Sequence, residues 1–521
     1  MITPLLKYAK YALLVILVAL PLALSVHGLP GNISESDMNG PGWIGGPFEL
    51  SVERGRFALT YSLAENRSVH FSVALARFAL PDLGFADGHY VSLFAPGVSI
   101  LALPGYYLGK FFGASQVGAF MTSAVFAALN FFLIRAIAVR LGASPSAALL
   151  GSIAFLFATP AFAYATTLYQ HHISTFLILS SLYLSLVSRS WWSTSLIWAI
   201  CAASILVDYP NLFLLLPIGV LTLSHMVSLK VHAQLISVTV GWAKLLTLLT
   251  ILVPLAGFLW FSSVSYHNPW QFSGTVASVR EIGPDGSPAW QPSAVAPKTN
   301  SDTFAPPPPP TPHKSALNFF NPRNLLNGLY IHLLSLDRGV LVYTPVILLG
   351  LIGLGSLLPS HRLAAQTLMS IALINLVLYS LWGDPWGGWA FGSRYLIPAY
   401  ALGGIGLGFL VDRFRRSLVF LFIFSALLAY SLLVNTLGAI TLIGVPPKVE
   451  VSALESLSGR LERYSFDRNF EHLLTNNSKS FVFQAWAKFY LSALDYYLLV
   501  LAFPSILSVG LIISLSRSHD H

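Results

Sequence analysis

Long apolar runs alternate with shorter polar stretches along this chain, and the runs are too long and continuous for strands. They cover residues 8–26, 91–109, 116–134, 145–162, 170–187, 192–207, 212–228, 242–263, 338–358, 366–382, 395–411, 417–436 and 492–516. A helix needs roughly 20 mostly apolar residues to cross the hydrocarbon core of a bilayer, and most of these runs approach that length. A membrane barrel would alternate inward and outward positions every second residue, whereas residues 11–26 are apolar almost throughout. The spans are therefore helices.

One run stands apart. Segment 91–109 carries Pro96, Gly97, Pro104 and Gly105, and prolines this close together interrupt the helical hydrogen-bond ladder. It reads as a re-entrant or interfacial helix on the outer face. With it set aside, the pattern predicts an all-α polytopic membrane protein of about twelve transmembrane helices (about 11–13), with a large first extracytoplasmic loop carrying juxtamembrane amphipathic helices. Both termini, together with Lys7, Lys10, Arg135, Arg140, Arg189, Lys230, Lys244, Arg362, Arg413, Arg415, Arg416 and Arg517, then fall on the cytoplasmic side, as positive charge favours. Of the 21 carboxylates only Asp412 and Asp520 join them, so the chemistry is expected to face outward. The first run would also suit a signal peptide, since Ala23-Leu24-Ser25 loosely resembles a cleavage site; its basic start and apolar body serve equally as an anchor.

The organisation that follows is an N-terminal membrane module, 1–264, containing the first outer loop, 27–115. After it come a Pro-rich outer loop, 265–337, and C-terminal membrane helices, 338–445, with an aromatic outer loop at 381–394. An outer cap, 446–491, and a last span with its tail, 492–521, complete the chain. Sequons at Asn32, Asn66 and Asn476 all fall on the proposed outer side.

Composition narrows the function. With 55% hydrophobic and 10% charged residues among 521 and a mean hydropathy of +0.69, a soluble enzyme, a coiled coil and a disordered chain are excluded. The net charge of +8 reports orientation in such a chain, and no nucleic-acid partner is expected. Cys201 is the single cysteine and can form neither an intramolecular disulfide nor a metal site by itself. No nucleotide-binding or zinc-protease pattern stands in a usable context.

Polar residues concentrate in the outer segments. Residues 51–78 of the first loop contain no proline and only Gly55, which predicts one or two amphipathic helices lying on the membrane. Acids Glu35, Asp37, Glu49, Glu53, Asp82 and Asp87 then sit near the headgroup plane, where a solvated loop charge is the bland reading for each. The second loop contains Ala305, five prolines, Thr311 and Pro312, a polyproline spacer that tethers. Residues 381–396 combine Trp382, Trp386 and Trp389 with Gly387, Gly388, Gly392 and Arg394. An aromatic belt explains the tryptophans, but an arginine at such a span entrance is also suited to grip a phosphate bidentately. Asp208-Tyr209-Pro210-Asn211 and Tyr169-Gln170-His171-His172 are polar breaks that serve either capping or function.

In order, Glu53-Arg54-Gly55-Arg56-Phe57-Ala58-Leu59-Thr60, Asp87-Gly88-His89-Tyr90-Val91-Ser92 with Ala95-Pro96-Gly97 and Leu103-Pro104, Asp208-Tyr209-Pro210, Asp337-Arg338-Gly339 with Tyr343-Thr344-Pro345, and Trp386-Gly387-Gly388-Trp389 with Gly392-Ser393-Arg394-Tyr395 form a familiar set. Over roughly residues 1–411 the chain resembles the GT-C superfamily of polyprenyl-phosphate-sugar-dependent glycosyltransferases, related to the protein O-mannosyltransferase and lipid A aminoarabinose transferase groups. The resemblance implies transfer of a sugar from a polyprenyl (dolichyl or undecaprenyl) phosphate donor to a glycan, lipid or protein acceptor at the extracytoplasmic face of the cell membrane, among membrane lipids. It implies a first-loop carboxylate as base, and here the chain departs from the family in lacking an Asp-Glu pair. Glu53 stands at the matching place, followed in rank by Asp87 and Asp37. For substrate binding it points to Arg394, then Arg56 and Arg338, with His89, Tyr90, Trp389 and Asp208. Some members hold a divalent cation and others work without metal, so the cofactor is left open. A lipid-sugar flippase or transporter, and a lipid-diphosphate glycan polymerase or ligase, are the competing functions.

Overall fold

The structure, a computed structural model, describes residues 2–40, 42–232, 235–289 and 319–517; the polyproline stretch lies outside the described residues. The described residues are 68% helical. Among the described residues six helices are long and apolar enough to cross a membrane: Ser115–Arg140, Leu246–Tyr266, Arg362–Ser380, Arg394–Phe414, Leu418–Ile440 and Ala493–Ser516. Six shorter apolar helices accompany them: Ala12–Ser25, Pro145–Phe157, His171–Val187, Trp191–Leu206, Asn211–Ser224 and Val346–Leu357. Each apolar run other than 91–109 coincides with one of these twelve. Proline accounts for some of the shortness: Pro160 follows the end of Pro145–Phe157, and Pro345 separates the turn Val340–Tyr343 from the helix beginning at Val346.

Segment 91–109 becomes the strand His89–Ser92 followed by the helix Gly97–Phe111. Val98, Ala102 and Tyr106 face inward, while Ile100, Leu101, Tyr107, Leu108 and Phe111 are exposed, which makes it a helix with one apolar face turned outward. It packs tightly on Ser115–Arg140, where a Cβ on Gly105 would meet the Gly118 carbonyl at 2.3 Å.

The first loop departs from the surface arrangement expected of it. Residues 51–78 form the helix Ser51–Tyr61, a π turn over Ser62–Asn66 and the helix Val73–Ala79. Glu53 and every residue from Gly55 to Thr60 are buried. The cause is packing: Phe48 contacts Phe57, Phe78 and Phe120 with centroids 4.9, 4.9 and 5.4 Å apart, so an aromatic cluster draws this loop onto a membrane helix. Nor is the chain purely α: three small sheets occur among the described residues, of which Leu83–Ala86, His89–Ser92 and Ala277–Val279 form the largest.

Ile397–Phe414 runs through the centre, buried over nearly all of its length from Ile397 to Val411. Small residues permit this. A Cβ on Gly350 would lie 2.0 Å from the Gly403 carbonyl, and one on Gly151 would lie 2.1 Å from that of Gly404, so the backbones meet almost directly.

Candidate active site

Two buried guanidinium groups share one phenol ring where the segment 27–115 meets the central helix. Arg56, 4% exposed, comes from the helix Ser51–Tyr61; Arg394, 7% exposed, comes from the turn that opens the central helix. Their Cζ atoms lie 5.6 and 5.2 Å from the ring centroid of Tyr169, and Arg56 also lies 4.6 Å from that of Phe94. Such stacking holds the planar cations in place. Nε and Nη1 of both arginines are buried without a hydrogen-bond partner, as are the Tyr169 hydroxyl and His171 Nε2. Buried donors are almost always satisfied, so a group of them converging on one place is the signature of a site built for an anion.

The local sequence explains how the arginines are held. Gly387, with φ +72°, wraps its carbonyl onto Arg394 Nη2 at 2.7 Å; a Cβ there would crowd Arg394 and Tyr395. The Asn375 side chain ties the start of the central helix to Arg362–Ser380, donating to the Tyr395 carbonyl at 3.0 Å and accepting from Ala399 N at 3.1 Å. On the other side, the Ser99 hydroxyl donates to the Arg56 carbonyl at 2.9 Å. Gly55 lets Phe94 approach so closely that a Cβ would lie 2.8 Å from its ring.

Four carboxylates stand nearby. Asp208 accepts from Gln170 Nε2 at 3.2 Å; burial raises its pKa, and the facing Arg56 opposes that rise. Half-buried Asp82 accepts from the Ser51 hydroxyl at 2.6 Å. Glu53 is fully buried. Its Oε1 accepts from the backbone amides of Leu50, at 2.9 Å, and Glu49, capping its own helix, while Oε2 has no partner. Burial, reinforced by the nearby Glu49, pushes its pKa up to about 8. Glu49 itself rises to about 7 for lack of solvent and accepts at Oε2 from the amides of Ile443 and Gly444 at 3.0 and 2.9 Å. Burial likewise lowers Arg56 to about 10, against the pull of Asp208.

The other residues singled out in the sequence lie elsewhere or are otherwise engaged. Asp87 and Gly88 form the exposed tip of the first hairpin with φ of +46° and +80°, and Asp87 meets only the exposed His267, at 3.1 Å. Asp37 is exposed and accepts from Ser34 in a local turn. His89 stacks on His70 at 4.3 Å, and Tyr90 donates to the Gly286 carbonyl at 2.8 Å. Arg338 is 1% exposed but spends its donors on four carbonyls, those of Trp386, Asp337, Gly388 and Val445, at 2.7–3.1 Å. It staples the glycine loop that grips Arg394. Trp389 donates to Glu450 at 2.8 Å and lies under Arg468, which ties that loop to residues 446–491.

Tyr169, Gln170, His171, Arg54 and Asp82 belong to the site's surroundings but did not stand out as site residues in the sequence. Only the polar break at 169–172 in otherwise apolar surroundings hinted at the first three. Among the described residues no group of three or more His, Cys, Asp or Glu side chains converges as a metal site, and Asp208 and Asp82 face arginines. The donors gathered among the described residues do not fit a metal cage.

In overall fold the chain is similar to ArnT from Cupriavidus metallidurans in the apo state (16% identity, 98% of this chain, 76% of that one, TM-score 0.45). The same protein bound to undecaprenyl phosphate gives 16% identity, 97% and 76% coverage and a TM-score of 0.44. The archaeal oligosaccharyltransferase AglB from Archaeoglobus fulgidus, in complex with an inhibitory peptide and a dolichol-phosphate, gives 12% identity, 96% and 56% coverage and a TM-score of 0.37. No known family profile matches the sequence, and no curated protein does.

Proposed function

We propose that this protein is a membrane glycosyltransferase that moves a sugar from a polyprenyl phosphate to an acceptor hydroxyl, with about twelve crossings and the site at the extracytoplasmic face. The observation that carries the reading is the pair Arg56 and Arg394, whose unpartnered Nε and Nη1 atoms flank Tyr169. Two fork-shaped cations are what a phosphate needs if it is to leave as an anion. A soluble anion would not require the site to sit among apolar helices; a lipid phosphate would.

In this mechanism the acceptor oxygen attacks the anomeric carbon as its bond to the phosphate oxygen breaks. The hydroxyl proton passes to Glu53 Oε2, and the electron pair of the broken bond leaves with the phosphate held by Arg56 and Arg394. A carboxyl with its pKa near 8 is a stronger base, once ionised, than an ordinary glutamate, and Oε1 remains engaged by the backbone, which fixes its direction. Gln170 holds Asp208, whose charge favours the Arg56 cation, Tyr169 lies between the two cations, and Arg338 holds the loop around Arg394.

Binding of short-chain polyprenyl phosphate and of the corresponding alcohol to the purified full chain tests the reading. Affinity that depends on the phosphate, by roughly 100-fold or more, is expected from two charge-assisted contacts. Equal binding of the alcohol would overturn the assignment.

A further inference from the structure

A second cationic constellation lies at the opposite end of the bundle, where the helices Ser115–Arg140, His171–Val187 and Asn211–Ser224 finish and Arg362–Ser380 begins. A cavity of about 300 Å³ opens there, lined by Arg189, His225, His361 and Arg362 along with Ser185 and Leu363, and no carboxylate lines it. That volume is within the range of small-molecule sites. Arg189 and Arg362 are exposed, and among the described residues neither pairs with an acid. Lys244 adds charge: its ammonium and the Arg189 guanidinium both act electrostatically on His225. Asp412 accepts from Ser144, three residues after the cavity-lining Leu141, and faces Arg415, so it is already engaged.

Three features narrow the occupant. The cations call for an anion. The helix Arg362–Ser380 starts with no side-chain cap, so its first-turn amides add donors beside Arg362. Exposed apolar side chains border the cavity's charged residues in the chain: Val187 two residues before Arg189, Leu223 two before His225, and Leu363 next to Arg362. Phosphate-binding donors edged by exposed apolar groups match a molecule that is a phosphate at one end and hydrocarbon at the other. The 17-residue helix His171–Val187 separates this cavity from Tyr169 by about 25 Å, so it is not part of the candidate active site.

We propose that this cavity binds the phosphate-ester headgroup of an anionic membrane lipid. The test uses the full chain in detergent, equilibrated with mixed micelles containing phosphatidylglycerol or phosphatidylcholine, with retained lipid counted by native mass spectrometry. Phosphatidylglycerol should be retained and phosphatidylcholine not. Arg189→Ala/Arg362→Ala should lower retention about 30-fold. Arg413→Ala/Arg416→Ala, which removes the same charge from the same side but outside the cavity, should change it less than about threefold. A spectroscopic arm follows the His225 ring, whose pKa should rise when the lipid arrives. Equal loss in both double variants, or equal retention of the two lipids, overturns the proposal. Displacement of the lipid by millimolar inorganic phosphate would keep the anion site and overturn its lipid source. Should the alanine pair fail to fold, Arg189→Lys/Arg362→Lys replaces it, with retention of most binding expected and complete loss counting against a charge-based site.

Discussion

Arg56→Met separates a residue kept for function from one kept for stability. In the ligand-free protein the Arg56 guanidinium is buried with Nε and Nη1 unpartnered, and burial pulls its pKa from 12.5 to about 10. That drop corresponds to about 3 kcal/mol spent on keeping the charge inside. Stacking on Phe94 and Tyr169 returns about 1–2 kcal/mol for each partly desolvated contact. The two nearly cancel, and methionine keeps the apolar stem while removing the charge, so the melting temperature should hold or rise. Donor affinity should move the other way. Two charge-assisted hydrogen bonds to phosphate at about 1.5 kcal/mol each amount to roughly 100-fold in Kd. The assay pairs a thermal melt of detergent-purified protein with equilibrium binding of radiolabelled short-chain polyprenyl phosphate. A fall in melting temperature by several degrees, with affinity within threefold of wild type, would show that Arg56 is structural and refute the reasoning.

Arg338→Met should behave oppositely: four carbonyls lose their donor, so a thermal melt should show a loss of about 3 kcal/mol or more. kcat/KM should rise about tenfold per pH unit below pH 8 and level off above it, because Glu53 must lose its proton to act; Glu53→Gln should lower the rate and flatten that limb. The same raised pKa makes the folded state hold a proton that the unfolded chain releases near the ordinary glutamate value. This contribution to stability is therefore present at low pH and fades as pH climbs through about 8, and chemical denaturation of Glu53→Gln should lack it. Asp87→Asn and Asp37→Asn, at exposed turns, should leave the steady-state transfer rate within about threefold of wild type.

The membrane helices were legible because each needs a long apolar run, and a run survives in the sequence whatever it packs against. Segment 91–109 was set apart on its prolines, yet the helix Gly97–Phe111 runs through Pro104 without a break, because the neighbouring helix packs against it closely enough to hold it. Burial of the helix Ser51–Tyr61 was not legible, since its polar residues look solvent-facing until Phe48, Phe57, Phe78 and Phe120 are seen to converge. Arg394 was visible as an arginine at a span entrance, with Arg56 and Arg338 ranked behind it, but what separates Arg56 and Arg394 from Arg338 is whether backbone carbonyls satisfy the guanidinium, a long-range property set by the loops around Trp386 and Val445. Tyr169 was hidden by its neighbours, since in the polar break Tyr169-Gln170-His171-His172 a capping role serves as well as a functional one. Its importance comes only from lying between two cations more than a hundred residues away on either side.

Turnover of a defined donor tests the central claim most directly. Purified full chain is incubated with a panel of radiolabelled short-chain polyprenyl-phosphate monosaccharides and an envelope extract as acceptor, and release of polyprenyl phosphate is followed for wild type, Glu53→Gln and Arg56→Met. The account predicts release from at least one donor by wild type, falling roughly 100-fold or more in both variants while each remains folded. Folded wild-type protein that turns over no donor, or variants that release polyprenyl phosphate as fast as wild type, would contradict it and shift the weight to lipid-sugar transport or lipid-diphosphate glycan ligation.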